Sequence, residues 1–289
     1  MNLKVSNLTK IYGGKIKALD DFNYNFTAGV YGLLGPNGAG KSTLMNIITD
    51  NLKATSGEVS YDGENTIKMG KNFRKILGYM PQQQGLYPNF TLIRFLYYMA
   101  ALKGMKRSDA TKDIERLLKL VNLTDCTKKR LGGFSGGMKQ RALVAQAMLG
   151  NPSVIILDEP TAGLDPKERI RIRNLISEIA FDKIVIIATH VVSDIEFIAK
   201  EVLLLKEGVI IDNGSPQKLC QELDGMVFEI TTTEEKLHEV TKFFKVGNIS
   251  KDENNIFVRI VSETEPTGYT FTPVKPDIED IYLNHFDDA

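Results

Sequence analysis

Residues 35–43 read GPNGAGKST. They match G-x-x-x-x-G-K-[ST], a motif that works only as the turn between a strand and a helix and so narrows the folds open to the chain. Its small residues, Gly35, Gly38, Ala39 and Gly40, let backbone N–H groups turn inward on an anion, with Pro36 and Asn37 lying between them. Lys41 supplies a neutralising positive charge and Ser42 a hydroxyl suited to Mg²⁺. The neighbours agree: Val30, Tyr31, Leu33 and Leu34 suit a buried strand, and Leu44, Ile47 and Ile48 fall at helical spacing. A chance match in a chain of this composition has a probability of roughly two per cent. The segment reads as a loop that holds nucleotide phosphates, and by itself it leaves the choice between an ATPase and a GTPase open.

The rest of the composition sets limits. A chain of 289 residues has room for one large domain and a small one, and 43% apolar with 25% charged residues is ordinary globular composition. Lys plus Arg equal Asp plus Glu at 36 each, so no overall charge draws the chain to nucleic acid or anionic lipid, and no nucleic-acid partner is expected. Cys126 and Cys220 lie far apart and in no CxxC pair, which argues against a zinc site or a disulfide scaffold and fits a reducing cytoplasm. The N-terminus alternates polar and apolar residues, unlike a signal peptide. The longest apolar runs, residues 184–189 and 95–102, fall short of the roughly 20 residues that cross a bilayer. If the protein works at a membrane, another chain is expected to supply the spanning helices.

Along the chain, residues 1–80 read as short strands and turns, interrupted by one helix at about 42–51, with a hairpin turn at Asp62-Gly63. From Thr91, a candidate N-cap, the pattern becomes helical, with Gly104 just past the end of the first helix and a second helix over about 107–120. A helix over 138–149 follows the turn LGGFSGG. The β-rich runs VIILD and KIVIIAT flank a further helix at about 166–180. Strands apolar on both faces alternating with helices indicate an α/β fold with a mostly parallel sheet. Beyond residue 217 a small α+β unit is expected, giving domains at 1–217 and 218–289. In it, strands are expected at MVFEITTT, NIFVRIVS and YTFTP, with helices at EEKLHEVTKFF and from 277 to 286.

Asp158 and Glu159 end the apolar run VIIL, where open α/β sheets meet ligands. Phosphoryl transfer needs one carboxylate to order a metal and another group to position or deprotonate water, so Asp158 suits the first role and Glu159 the second. His190 follows KIVIIAT at another strand end, where its imidazole can donate to a γ-phosphate; taken alone it also reads as an idle loop residue. Gln82 offers an amide that reaches water or metal, or forms a solvated turn with Gln83 and Gln84, and spacing does not separate the two. Ser135, Gly136 and Gly137 stand directly before a helix whose N-terminus offers a second anion site. Two such sites in one chain either fold together or are shared between subunits.

Taken in order, GPNGAGKST, YMPQ, FSGGMKQR, VIILDEP, GLD and ATH resemble the ATP-binding subunit of ATP-binding-cassette transporters over about residues 1–215. That resemblance implies a P-loop cassette of mixed sheet and helices, with an N-terminal β subdomain and a helical subdomain at about 85–150. It implies ATP and Mg²⁺ as cofactors. Tyr12 then stacks on adenine, and Lys41, Ser42 and Thr43 hold phosphate and Mg²⁺. Gln82 and Asp158 serve the metal, Asp158 through water, and Gln82 also links the nucleotide to the membrane partner. Glu159, His190 and Gln82 act in catalysis, Asp165 communicates between subunits, and Ser135, Gly136 and Gly137 of one subunit meet the γ-phosphate held by the other. Phe134 and Met138 replace the family's usual Leu and Gln around SGG, so the contact in trans is expected to be tuned rather than lost. The stretch GLYPNFTLIRFLYYMAALKG and the ending PDIEDIYLNHF look like a bacterial exporter subgroup in which ATPase and membrane subunits are separate chains. The implied partners are a transmembrane permease and a second ATPase subunit at the cytoplasmic face of the cell membrane. One or two of Phe90, Phe95, Tyr97 and Tyr98 are expected in a groove for the permease, the others in the core.

Two rival classes share parts of this pattern. A soluble cassette ATPase of repair, translation or cofactor assembly would carry a long coiled coil before SGG or a second cassette, and this sequence has neither. A P-loop kinase would have no reason to own FSGGMKQR.

Overall fold

Runs with no polar face become the central strands. Val154–Asp158 and Ile184–Ala188 are buried at every position, as expected of parallel strands covered on both sides. The computed structural model describes residues 1–82, 85–252 and 255–286, in two units, Met1–Ile211 and Asp212–Ala289.

In chain order the first unit opens with β1 (Leu3–Tyr12), β2 (Ile16–Phe26) and β3 (Gly29–Leu34), then α1 (Lys41–Ile48), β4 (Ser56–Tyr61) and β5 (Glu64–Asn65). Two short helices, α2 (Thr66–Met69) and α3 (Lys71–Lys75), precede β6 (Leu77–Met80). The sequence pattern predicts a single helix before residue 80, so these two are additions. Asn65 caps α2 through its side-chain oxygen, which accepts from Ile67 and Lys68 N–H, a local signal hidden behind the Asp62-Gly63 turn. Next come α4 (Leu92–Leu102), α5 (Arg107–Leu120) and α6 (Gly136–Ala147), then β7 (Val154–Asp158), α7 (Pro166–Ile179), β8 (Ile184–Ala188), α8 (Ser193–Glu196), β9 (Glu201–Lys206) and β10 (Val209–Gly214).

The strands form an antiparallel sheet in the order β2-β1-β4-β5 and a six-stranded sheet in the order β10-β9-β3-β8-β7-β6. In the second sheet β3, β6, β7, β8 and β9 run parallel. One apolar cluster joins Leu3, Val5 and Phe22 of the first sheet to Leu33, Ile156 and Ile186 of the second, with Leu44 and Ile48 of α1 packed among them. Thr91 caps α4, its hydroxyl accepting from Arg94 N–H at 3.3 Å. Phe95 on α4 is core, and Tyr97 bonds Thr111 at 2.9 Å. Tyr98 is exposed and packs with Phe90 and Tyr87.

The register places the site. Asp158 pairs with Ala188, Leu157 with Met80, and Leu33 with Ala188. The ends of β3, β6, β7 and β8, from which the phosphate loop, Gln82, Glu159 and His190 depart, are therefore level along one edge of the sheet.

The second unit contains α9 (Pro216–Gln221), β11 (Val227–Thr232), α10 (Glu234–Phe243), β12 (Lys245–Lys251), β13 (Ile256–Val261), β14 (Thr270–Pro273) and α11 (Ile278–Phe286). Its antiparallel sheet runs β12-β13-β11-β14 over a core of Phe228, Ile230, Val240, Val258 and Ile260. Strand β12 is not foreseen from the sequence. It is exposed along most of its length, so it carries no buried alternation to reveal it.

Candidate active site

Gly35 and Gly40 of the phosphate loop are required by space as well as by φ. A Cβ on Gly40, at φ 105°, would stand 2.4 Å from the Ala18 carbonyl oxygen, and one on Gly35, at φ 153°, 2.2 Å from that of Leu205. Gly40 begins α1 with no side-chain cap, so the first N–H groups of the helix are left for an anion. Lys41 folds back, donating from Nζ to the carbonyls of Gly35 at 2.6 Å and Pro36 at 3.0 Å. Burial pushes its ammonium below the usual lysine range, against the pull of Glu159 and Asp158. An incoming polyphosphate offers that cation better acceptors than two carbonyls.

The loop forms one wall of a cleft of about 310 Å³ lined by Tyr12, Asn37, Gly38, Ala39, Gly40, Lys41, Ser42, Thr43, Gln82, Asp158, Glu159 and His190. Tyr12 is 42% exposed, with Lys10 Nζ 5.2 Å from its ring centroid. Burial and the adjacent Glu159 charge push the Asp158 carboxyl up to about 6, and Lys41 opposes them. Gln82 is exposed; Gln83 and Gln84 lie outside the described residues.

Glu159 is buried and sits at φ 53°, a left-handed conformation that costs a non-glycine residue about 1 kcal/mol. Its backbone N–H bonds the Ala188 carbonyl at 2.8 Å, and its carboxylate accepts from the His190 N–H at 3.1 Å and Thr189 Oγ1 at 3.3 Å. His190 Nδ1 lies 2.8 Å from Glu159 Oε1, while the His190 side chain is 70% exposed. The buried carboxylate is thus fixed, and the imidazole beside it is reachable from solution.

Ser135, Gly136 and Gly137 are not among the residues lining this cleft. Ser135 is the N-cap of α6, its Oγ accepting from Met138 N–H at 3.3 Å, and Gly136 and Gly137 form the first turn instead of preceding the helix. Ser135 and Gly136 are exposed, whereas Gly137 is buried so closely that a Cβ there would stand 2.8 Å from Glu168 Cγ. Glu168 is held in turn by Arg141 at 3.2 Å and Arg171 at 2.7 Å. Asp165 caps α7 by accepting from Glu168 N–H at 3.0 Å.

A family model described as ABC transporter matches residues 19–162. The bacitracin transport ATP-binding protein BcrA of Bacillus licheniformis is 38% identical over 73% of this chain and 68% of its own length. The Nod factor export ATP-binding protein I of Burkholderia lata is 31% identical over 96% of this chain and 94% of its own. This chain belongs to the ABC transporter ATP-binding proteins. A dimeric structure of the bacterial ABC transporter cassette MJ0796 superposes with a TM-score of 0.67 at 30% identity, covering 74% of this chain and 98% of that cassette.

As an ABC transporter ATPase, the chain binds and hydrolyses ATP. Its cleft also contains Ile16 and Ala18, which sequence reasoning missed. Their signal is weak, because a strand that follows a tight turn after Tyr12 shows no motif. Their contribution is apolar surface next to Tyr12.

Proposed function

We propose that the chain is the motor subunit of an exporter, in which ATP closes two ATPase subunits on one another and hydrolysis reopens them. The observation that carries this reading is the division of the site: Lys41, Ser42, Asp158, Glu159 and His190 share one cleft while exposed Ser135, at a second anion-competent helix terminus, lies outside it. A second subunit whose Ser135 and Gly136 meet the γ-phosphate completes the enclosure. ATP then binds the closed dimer better than the open one, the condition for a ligand to drive closure.

Within the site, Tyr12 stacks on adenine and the N–H groups of residues 38–43 cradle the phosphates. Glu159 takes a proton from the attacking water, and His190 donates to the γ-phosphate. Ser42, Asp158 and Gln82 offer oxygen donors in the same cleft, and a carboxyl that burial pushes up to about 6 gains most from a nearby cation. The set fits Mg²⁺, which when bound neutralises charge on the phosphate oxygens. Asp165, next to the N-terminus of α7, serves communication between subunits.

No helix among the described residues is long and apolar enough to cross a membrane. The likeness to transport and export ATP-binding proteins supports a separate permease and a peripheral place on the cytoplasmic face of the cell membrane. The aromatic cluster of exposed Tyr87 and Tyr98 with half-buried Phe90 serves as its docking face. Export follows the likeness to the Nod factor export protein, which spans nearly the whole chain.

Mixing two inactive variants tests the shared site. Lys41→Ala and Ser135→Arg are each expected to hydrolyse ATP slowly, and their mixture to regain activity because one of the two composite sites is then intact. A mixture no more active than its parts would refute sharing. Purification from membranes with a multi-span protein checks the transporter assignment.

A further inference from the structure

Beyond the residues that touch nucleotide, one buried polar contact joins two catalytic segments. Thr161 and Asp194 are 1% and 6% exposed, and the Thr161 hydroxyl donates to Asp194 Oδ2. Thr161 lies in the turn that runs from Glu159 to Asp165, where Ala162 N–H bonds the Glu159 carbonyl at 3.3 Å and Leu164 N–H that of Thr161 at 3.2 Å. Asp194 belongs to α8, which follows His190 by a turn in which Asp194 N–H bonds the Val191 carbonyl at 3.1 Å. Both segments leave neighbouring strands, β7 and β8, at the same level of the sheet. A second tie runs parallel to the first: Arg173 of α7 donates to the Ser193 carbonyl at 3.2 Å and lies 5.1 Å from the Phe197 ring centroid.

A carboxylate this buried costs stability unless its lone pairs are used, and an apolar pair of similar size would fill the space without that cost. The contact supplies direction instead: it fixes the distance between the two segments. We infer that Asp194, through Thr161, is a positioning residue that makes the Glu159–Asp165 turn and the His190 segment move as one body. Engagement of a γ-phosphate by His190 is thereby passed to Asp165 and α7. This rests on the roles given to Glu159 and His190 above.

Thr161→Val, Asp194→Ala, Asp194→Asn and the double variant Thr161→Val/Asp194→Ala are compared for kcat, KM for ATP and thermal midpoint. Thr161→Val and Asp194→Ala are expected to lower kcat on the order of tenfold at nearly unchanged KM, the size of effect for a misplaced catalytic group. The double variant is expected to be no slower than either single one, and Asp194→Asn, which keeps an acceptor for the hydroxyl, to recover most of the rate. Folded Thr161→Val and Asp194→Ala with wild-type kcat, or losses that multiply in the double variant, would overturn the inference. Thr161→Val preserves shape, so the test stands even if Asp194→Ala folds poorly. Glu159→Gln run alongside tests the roles themselves: if it turns over normally, the reading of the site fails, while the coupling of Thr161 to Asp194 is still judged from its own cycle.

Discussion

The nucleotide cleft and the C-terminal unit treat buried charge in opposite ways. In the C-terminal unit Arg259 binds Asp280 with both arms, Nε to Oδ1 at 2.9 Å and Nη2 to Oδ2 at 2.6 Å, and also reaches Asp277 and the Lys275 carbonyl. The Asp280 carboxylate, 2% exposed, further accepts from Asp277 N–H at 2.9 Å. Each group there is satisfied by its own chain, and the pairing raises the Arg259 guanidinium above its ordinary range. In the cleft, burial instead pushes Asp158 up and Lys41 down, and Lys41 spends its hydrogens on loop carbonyls. Charges held at such a disadvantage mark a surface awaiting a charged ligand, whereas charges fully paired mark a structural joint.

The comparison breaks at several points. The largest effect is expected from Glu159→Gln, which should lower hydrolysis on the order of 10²-fold or more while ATP binding persists, measured as steady-state turnover against nucleotide affinity. Asp280→Ala should remove both Arg259–Asp280 bonds, leave Arg259 with Asp277 and the Lys275 carbonyl, and destabilise the C-terminal unit by about 2 kcal/mol, with KM for ATP unchanged. Denaturant unfolding followed beside ATPase assays checks both halves of that statement.

The smallest effect is a gain. The Asp158 carboxyl is raised on folding, so the folded chain binds more protons than the unfolded one between about pH 4 and pH 6, and stability falls as pH rises through that window. Asp158→Asn should therefore stabilise the nucleotide-free protein above about pH 6 by on the order of 1 kcal/mol, a rise in Tm of about 2–4 °C. Near pH 4 the two proteins should melt alike. A variant less stable than the parent at pH 8 would mean that the carboxylate is paid for locally, as Asp280 is.

Much of this was legible in the chain. Residues 35–43 announce their strand–loop–helix because a phosphate cradle demands small residues at fixed offsets, and VIILD and KIVIIAT announce buried strands because they lack a polar face. Thr91 announces a helix start through its side chain. Other features stayed hidden, three of them for plain physical reasons. Helices α2 and α3 are too short to show a period, β12 is too exposed to alternate, and Ile16 and Ala18 carry no chemistry of their own. Among the aromatics of α4, spacing could not separate buried Phe95 from exposed Tyr98, since the two faces of a half-buried helix are chosen by what packs against them.

The sequence by itself determined the phosphate loop, the strand-end carboxylates, the α/β class and the resemblance to transporter ATPases, because local backbone geometry and side-chain chemistry impose those residues at short range. Only the tertiary structure decided that Gln82, Asp158, Glu159 and His190 meet the loop in one cleft while Ser135 stays outside it. That outcome depends on strand order and register across β6, β7, β8 and β3, set by long-range hydrogen bonds and by the apolar core beneath them. The bond between Thr161 and Asp194, 33 residues apart, belongs to the same class: neither residue signals its partner, and only the parallel register brings the two turns together.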